Sequence, residues 1–212
     1  MLRNVILVLD EATENHNFIA SSLEQVYGDE VDIIIEEPLS TKELMISRIQ
    51  EDSGRIVALI LDERLTDTGE CDYVGSELAE AYRFFDSKIP IYILTSFPDI
   101  VDSNSGDIEY VIDKADLTAD SLIKKLSIKL RRHVNIYKDI VDYRKNRVNE
   151  LLLKQFNSNL SEDELSELKD LQYWRVKAIE LDESILSEEL KISLDKKEKI
   201  LIELEDKLKK GS

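Results

Sequence analysis

The 212-residue chain has a single cysteine, Cys71, so it can form no intramolecular disulfide and no cysteine-based metal cluster. Its 6 glycines do not form a phosphate-cradling run after the first apolar segment, which excludes dinucleotide-binding and P-loop readings. No stretch approaches the roughly 20 apolar residues of a membrane span. The opening residues enter a strand-like run without a basic leader, so a cytoplasmic setting with no membrane contact is expected. Basic residues are also scarce. Residues 1–132 carry 13 Lys+Arg against 27 Asp+Glu, and residues 133–212 carry 15 against 18, within a net charge of -17. Neither part offers the basic patch that a phosphate backbone requires, so no nucleic acid is expected as a partner.

The chain does hold apolar runs, and 42% hydrophobic content is enough for one or two modest cores. Asn4–Leu9, Val31–Ile35, Ile56–Leu61, Ile89–Thr95 and Glu109–Ile112 read as strands. Between them lie helical patterns. Phe18, Ile19, Leu23, Val26 and Tyr27 share one face, and Leu44, Met45 and Ile49 another, after a capping box at Ser40–Glu43. Val74, Leu78, Ala81, Tyr82 and Phe85 mark a third. The segment from Phe97 to Asp107 is rich in Ser, Asn, Asp and Gly, so any helix there is brief or irregular. Alternating strands and helices predict an α/β fold with a five-stranded, parallel, doubly wound sheet.

From Thr118 to about Phe156 there is neither proline nor glycine. Ile123, Ser127, Leu130, Val134, Tyr137, Val141, Arg144, Val148 and Leu151 follow steps of four and three, a heptad seam that predicts one long helix. Asn157-Ser158-Asn159 breaks it. Ser161–Glu164 then has capping-box spacing and opens a helix with Leu165, Leu168, Leu171 and Ala178 inward. After a turn near Ser184–Ser187, Leu190, Leu194, Leu201, Leu204 and Leu208 mark a last helix. The division expected is a domain of residues 1–130 and an all-α extension of residues 131–212, with a long helix to about 156 and a hairpin over 161–209. Few aromatics and long apolar stripes favour a seam covered by a second copy, giving a homodimer, or by another protein. Folding back within the chain is the other arrangement.

Chemistry in open α/β sheets gathers beyond the carboxyl ends of the strands. Those ends carry Asp10 and Glu11, Asp62, Thr95 with Ser96, and Lys114. Three carboxylates in one cleft resist full ionisation without a cation, and hard oxygen ligands with open positions suit Mg²⁺. A hydroxyl and an ammonium opposite them could hold a phosphoryl group transferred to Asp62.

In Leu7-Val8-Leu9-Asp10-Glu11, Leu59-Ile60-Leu61-Asp62, Gly75-Ser76-Glu77-Leu78-Ala79, Ile89–Ser96 and Val111-Ile112-Asp113-Lys114, the chain resembles the receiver domain of bacterial two-component response regulators. The resemblance covers residues 1 to about 130 and implies a flavodoxin-like sheet. It implies that Asp62 accepts a phosphoryl group from a histidine kinase or phosphotransfer protein. By the same resemblance, Asp10, Glu11, Asp62 and the backbone carbonyl of Arg64 bind Mg²⁺. Thr95 bonds the phosphoryl oxygen on switching, and Lys114 neutralises its charge. No enzymatic activity is expected beyond self-phosphotransfer and autodephosphorylation.

Output is expected through the helical extension as a protein-interaction module, since residues 133–212 lack a basic recognition helix. The chain departs from the family where Leu65 and Thr66 replace a proline, where Ala115 follows the lysine, and in the long loop from Asp62 to Gly75. These departures motivate an alternative, a pseudo-receiver that serves as a phosphorylation-independent docking scaffold. A phosphatase with Asp62 as nucleophile would want a second aspartate two residues on, where Arg64 stands. His16 and His133 read as solvated helix residues, Cys71 as an unactivated thiol, and Tyr173 and Trp174 as core or partner-facing anchors.

Overall fold

The computed structural model describes residues 3–101, 106–157 and 159–179. Strands β1 (Asn4–Leu9), β2 (Val31–Glu36), β3 (Ile56–Asp62), β4 (Ile91–Thr95) and β5 (Tyr110–Asp113) form one parallel sheet in the order β2-β1-β3-β4-β5. The order follows from how apolar each strand is. All seven residues of β3 and all five of β4 are buried, as suits strands covered on both faces. By contrast β2 and β5 are mostly half-buried, as suits edges. This is the flavodoxin-like winding, whose reversal of direction lies between β1 and β3.

Helices α1 (His16–Tyr27), α2 (Lys42–Glu51) and α3 (Gly75–Arg83) make the crossovers between the first four strands. The predicted apolar faces are right in phase except at single positions. Phe18 and Leu44 point outward, while Ile19, Met45 and Ile49 are buried. The cap of α2 is Thr41, one residue beyond Ser40, and its hydroxyl accepts from the Leu44 N–H at 3.4 Å.

Between β4 and β5 the described residues hold no α-helix, only a 3₁₀ turn over Pro98–Ile100. A guanidinium braces this connection instead. Arg83, from α3, donates Nη2 to both oxygens of Glu109 at 2.9 and 2.8 Å, Nε to the Asp107 carbonyl at 2.9 Å and Nη1 to the Ile89 carbonyl at 2.6 Å. Glu109 Oε2 in turn accepts the Ile91 N–H at 2.5 Å. One side chain thus ties the entries of β4 and β5 together. A cleft of about 280 Å³ lies beside it, lined by Pro98 and residues 108–111.

Helix α4 (Asp120–Asn157) runs unbroken for 38 residues, as the absence of proline and glycine requires. Its seam is buried, but from within the chain. Ile123, Leu126, Leu130, Val134 and Tyr137 join the main core, which α1 shares. Tyr137 also donates its hydroxyl to Asp86 Oδ2 at 2.6 Å, and Ser127 to the Val26 carbonyl at 2.6 Å. Further along, Val148 and Leu151 meet Leu168 of α5 (Glu162–Ile179) in a separate small cluster. The seam expected to pair with a second copy is therefore filled by the sheet domain and by α5.

The predicted capping box at the start of α5 is present. Ser161 Oγ accepts the Glu164 N–H at 3.2 Å, and Glu164 Oε2 accepts the Ser161 N–H at 3.0 Å. Leu165 is exposed rather than inward. The turn near Ser184–Ser187, the last helix, and the side chains of Tyr173, Trp174 and Ala178 lie outside the described residues. No helix among the described residues is long and apolar enough to cross a membrane.

His133 is not the solvated residue expected. Its ring stacks on Tyr92 of β4 with centroids 5.9 Å apart, and its Nδ1 lies 3.1 Å from the Tyr92 hydroxyl. Burial holds that hydroxyl far above the usual tyrosine range, so it remains protonated, and the tautomer of His133 sets which of the two groups donates. Burial, with the nearby Lys129 and Arg132, pushes the His133 imidazole below its ordinary pKa.

Candidate functional site

The strand ends converge as the parallel register dictates. Leu9 is paired with Leu61, so Asp10 follows β1 beside Asp62 at the end of β3. On the other side Asp62 pairs with Leu94, and Thr95 pairs with Asp113, the residue before Lys114. Oxygens of Asp10, Glu11 and Asp62 all lie within 4.8 Å of one another. Lys114 Nζ donates to Asp10 Oδ2 at 2.8 Å and to Asp62 Oδ2 at 2.5 Å, binding the ends of β1, β3 and β5 into one cluster.

The remaining contacts fix orientation. Asp10 Oδ1 accepts the Ala12 N–H at 2.9 Å, and Asp62 Oδ1 accepts the Arg64 N–H at 3.3 Å. Thr95 is fully buried, and its hydroxyl oxygen accepts the Phe97 N–H at 3.1 Å. The Arg64 side chain turns away from the acids, pairing with Asp67 at 2.7 Å and lying 5.1 Å over the Phe97 ring. His16, expected at the surface, is half-buried with Nε2 2.9 Å from the Asp10 carbonyl oxygen.

Three carboxylates face one ammonium here, and the protonation of Glu11 and Asp62 reflects the imbalance. Burial raises Glu11 to about 7, and the charges of Asp62 and Asp10 add to the effect. Burial also lifts Asp62, against the pull of Lys114. For Lys114 burial works against the charged form, but bonds to Asp10 and Asp62 outweigh it and its pKa rises. Glu11 Oε2 is sealed from solvent and meets no hydrogen-bond partner among the described residues. A buried carboxylate oxygen without a donor, on a residue grouped with two further acids, fits a hard divalent cation such as Mg²⁺.

Two further residues stand beside the acids. Glu63 is buried although charged, and Gly75 packs against the Asp62 peptide. A signal for both existed in the sequence. Val74 precedes α3 without any side-chain acceptor, so the helix start had to find one elsewhere. Cys71 is buried in the same loop, its thiol against the Leu65 and Tyr73 carbonyls, and burial pushes its pKa up. That agrees with an unactivated thiol.

No family model matches the chain, and no curated protein matches it by sequence. Among solved structures it is similar to NtrX from Brucella abortus in complex with ADP, at 13% identity and a TM-score of 0.48. That similarity covers 67% of this chain and 29% of the NtrX chain. It is also similar to the non-phosphorylated HemR receiver domain from Leptospira biflexa, at 20% identity and a TM-score of 0.42, over 62% of this chain and 94% of that one. A third is the RcsB response regulator of Salmonella typhimurium, at 15% identity and a TM-score of 0.42, over 86% and 90%. The chain spans less than a third of NtrX. Strand order, with acidic groups gathered at the carboxyl ends, defines the class of fold: a flavodoxin-like α/β sheet continued by a helical extension.

Proposed function

We propose that this chain is a response-regulator-like phosphoacceptor that takes a phosphoryl group on Asp62 with Mg²⁺ and signals through its helical extension. The supporting observation is Lys114 bridging Asp10 and Asp62, with an unpartnered Glu11 oxygen in the same cluster. Asp10, Glu11, Asp62 and the Arg64 carbonyl hold the cation, which when bound neutralises charge on the phosphoryl oxygens.

An oxygen of ionised Asp62 attacks the phosphorus of a phosphohistidine on a kinase or phosphotransfer protein. The P–N bond breaks, its electron pair stays on the imidazole nitrogen, and an acyl phosphate forms. Lys114 neutralises the transferred group, and the Thr95 hydroxyl donates to one of its oxygens. Attack by water at phosphorus later breaks the P–O bond to Asp62 and releases inorganic phosphate. No other enzymatic activity is assigned. Output runs through α4 and the residues beyond it to a protein partner or a second copy, without contact to nucleic acid.

Incubation with acetyl phosphate or beryllofluoride and Mg²⁺ tests this reading. The mass gain of one phosphoryl group, or a Mg²⁺-dependent fluorescence change, is expected in the full chain and absent in Asp62→Asn. If neither appears, the docking-scaffold reading replaces it, and partner binding is then unchanged by Asp62→Asn.

A further inference from the structure

The loop between Asp62 and α3 is tied down by a residue that phosphotransfer does not use. The first-turn N–H groups of a helix need acceptors, and Val74 offers none. Glu63 supplies them from thirteen positions before Ser76. Its Oε2 accepts the Ser76 N–H at 2.9 Å, and its Oε1 accepts the Ser76 hydroxyl at 2.8 Å. Its own backbone carbonyl accepts the Gly75 N–H at 3.2 Å. The residue is 9% exposed, with both carboxylate oxygens engaged at the positive end of α3.

The contact is tight from the other side as well. A Cβ at Gly75 would stand 2.2 Å from the Asp62 carbonyl oxygen and 2.9 Å from its carbonyl carbon, so only glycine lets the helix start this close. The Asp62 peptide is therefore held between β3 and the first turn of α3. The next donor along, the Arg64 N–H, fixes Asp62 Oδ1. Glu63 thereby acts as a strut between the acceptor's own backbone and a helix that reaches the acids by no other charged contact among the described residues.

We infer that Glu63 is a positioning residue for Asp62, its carboxylate clamping the start of α3 so that Asp62 and the Arg64 backbone keep the geometry of the acidic cluster. The functional meaning of the clamp rests on the phosphoacceptor reading of Asp62; the clamp itself does not require it. Removing residues that orient metal ligands commonly lowers metal affinity about 10- to 100-fold.

The test uses the full chain with Glu63→Ala, Glu63→Gln and Ser76→Ala, beside Arg83→Ala as a destabilised control far from the acids. Two quantities are read on folded protein: amide exchange at Arg64, which needs no ligand, and affinity for Mg²⁺ with beryllofluoride. Glu63→Ala is expected to speed Arg64 exchange and weaken ligand affinity, each about tenfold. Glu63→Gln, which still accepts the Ser76 N–H, restores most of both, and Arg83→Ala changes neither. Should Glu63→Ala fail to fold, Ser76→Ala carries the same test, with roughly a threefold change expected for one lost bond of about 0.7 kcal/mol.

Unchanged Arg64 exchange in the clamp variants overturns the inference, whatever the ligand does. Equal losses in Arg83→Ala also overturn it, since they would follow from stability alone. If the unmodified chain binds no beryllofluoride, the phosphoacceptor reading falls, while Arg64 exchange still decides the clamp.

Discussion

The two halves of α4 share one heptad seam and have very different support. Up to Tyr137 the seam belongs to the main core, beside α1 and the sheet. From Val148 onward, among the described residues, it rests on α5, through three buried side chains and a rim of half-buried ones. Periodicity specifies which stripe of a helix is apolar. What covers that stripe depends on where the rest of the chain passes, and here two separate parts of it cover the two halves.

Core truncation should separate them most sharply. Leu130 is 0% exposed and Leu151 1% exposed, so burial alone does not distinguish them. Leu130→Ala is expected to cost about 2–5 kcal/mol of global stability, because its neighbours belong to the single large core. Leu151→Ala should instead release the distal part of α4 and α5, while the sheet domain's midpoint moves by less than about 1 kcal/mol. Urea titrations followed by far-UV dichroism and by exchange at core amides check both. A common loss of comparable size would mean that the halves fold as one unit.

Acidity should act on the proximal half. The His133 pKa is depressed in the fold, so its contribution to stability is present above its ordinary value of 6.5 and is lost as pH falls through the lower folded value. His133→Phe keeps a ring against Tyr92 and removes the titration, so the fall in stability below pH 6.5 should shrink relative to the unmodified chain. The distal half should show no matching step.

Glu11 titrates in the opposite sense. Glu11 is raised from 4.5 to about 7, so without metal its stabilising contribution is complete below 4.5 and lost as pH rises through 7. Mg²⁺ binding should then expel a proton, and apparent affinity should rise about tenfold between roughly pH 6 and pH 8. Calorimetry in buffers of different ionisation enthalpy measures that proton, and Glu11→Gln should abolish its release.

The smallest effect is expected at the exposed forks between α4 and α5. Arg147 meets Glu167 through two contacts of 2.8 Å at the partly covered surface, and Lys154 meets Glu164 at 2.5 Å in a more exposed position. Arg147→Ala should alter only the salt dependence of distal helicity, measured by dichroism between low and high ionic strength.

Much of this was legible in the sequence because the signals are local. Apolar runs such as Leu59-Ile60-Leu61 carry their own strand assignment, and the acids that end the first and third runs mark the functional edge. The seam from Ile123 to Leu151 was readable by spacing alone. Side-chain phase was not, for residues beside a boundary: Phe18, Leu44 and Leu165 sit one step off their buried stripes, where a small helix rotation decides exposure. Contacts made across the fold were also hidden. Glu63 caps a helix that begins a dozen residues later, His133 meets a strand forty residues earlier, and Arg83 replaces a missing helix with a set of hydrogen bonds.

Because α4 contains no break, it transmits rotation as a beam does. Beyond Tyr137 it projects by about 30 Å at 1.5 Å per residue. A tilt of only about 5° at the sheet would carry its far end through roughly 2.6 Å over that length. A repacking too small to see around Leu130 or His133 would therefore arrive at α5 as a displacement comparable to a side-chain radius.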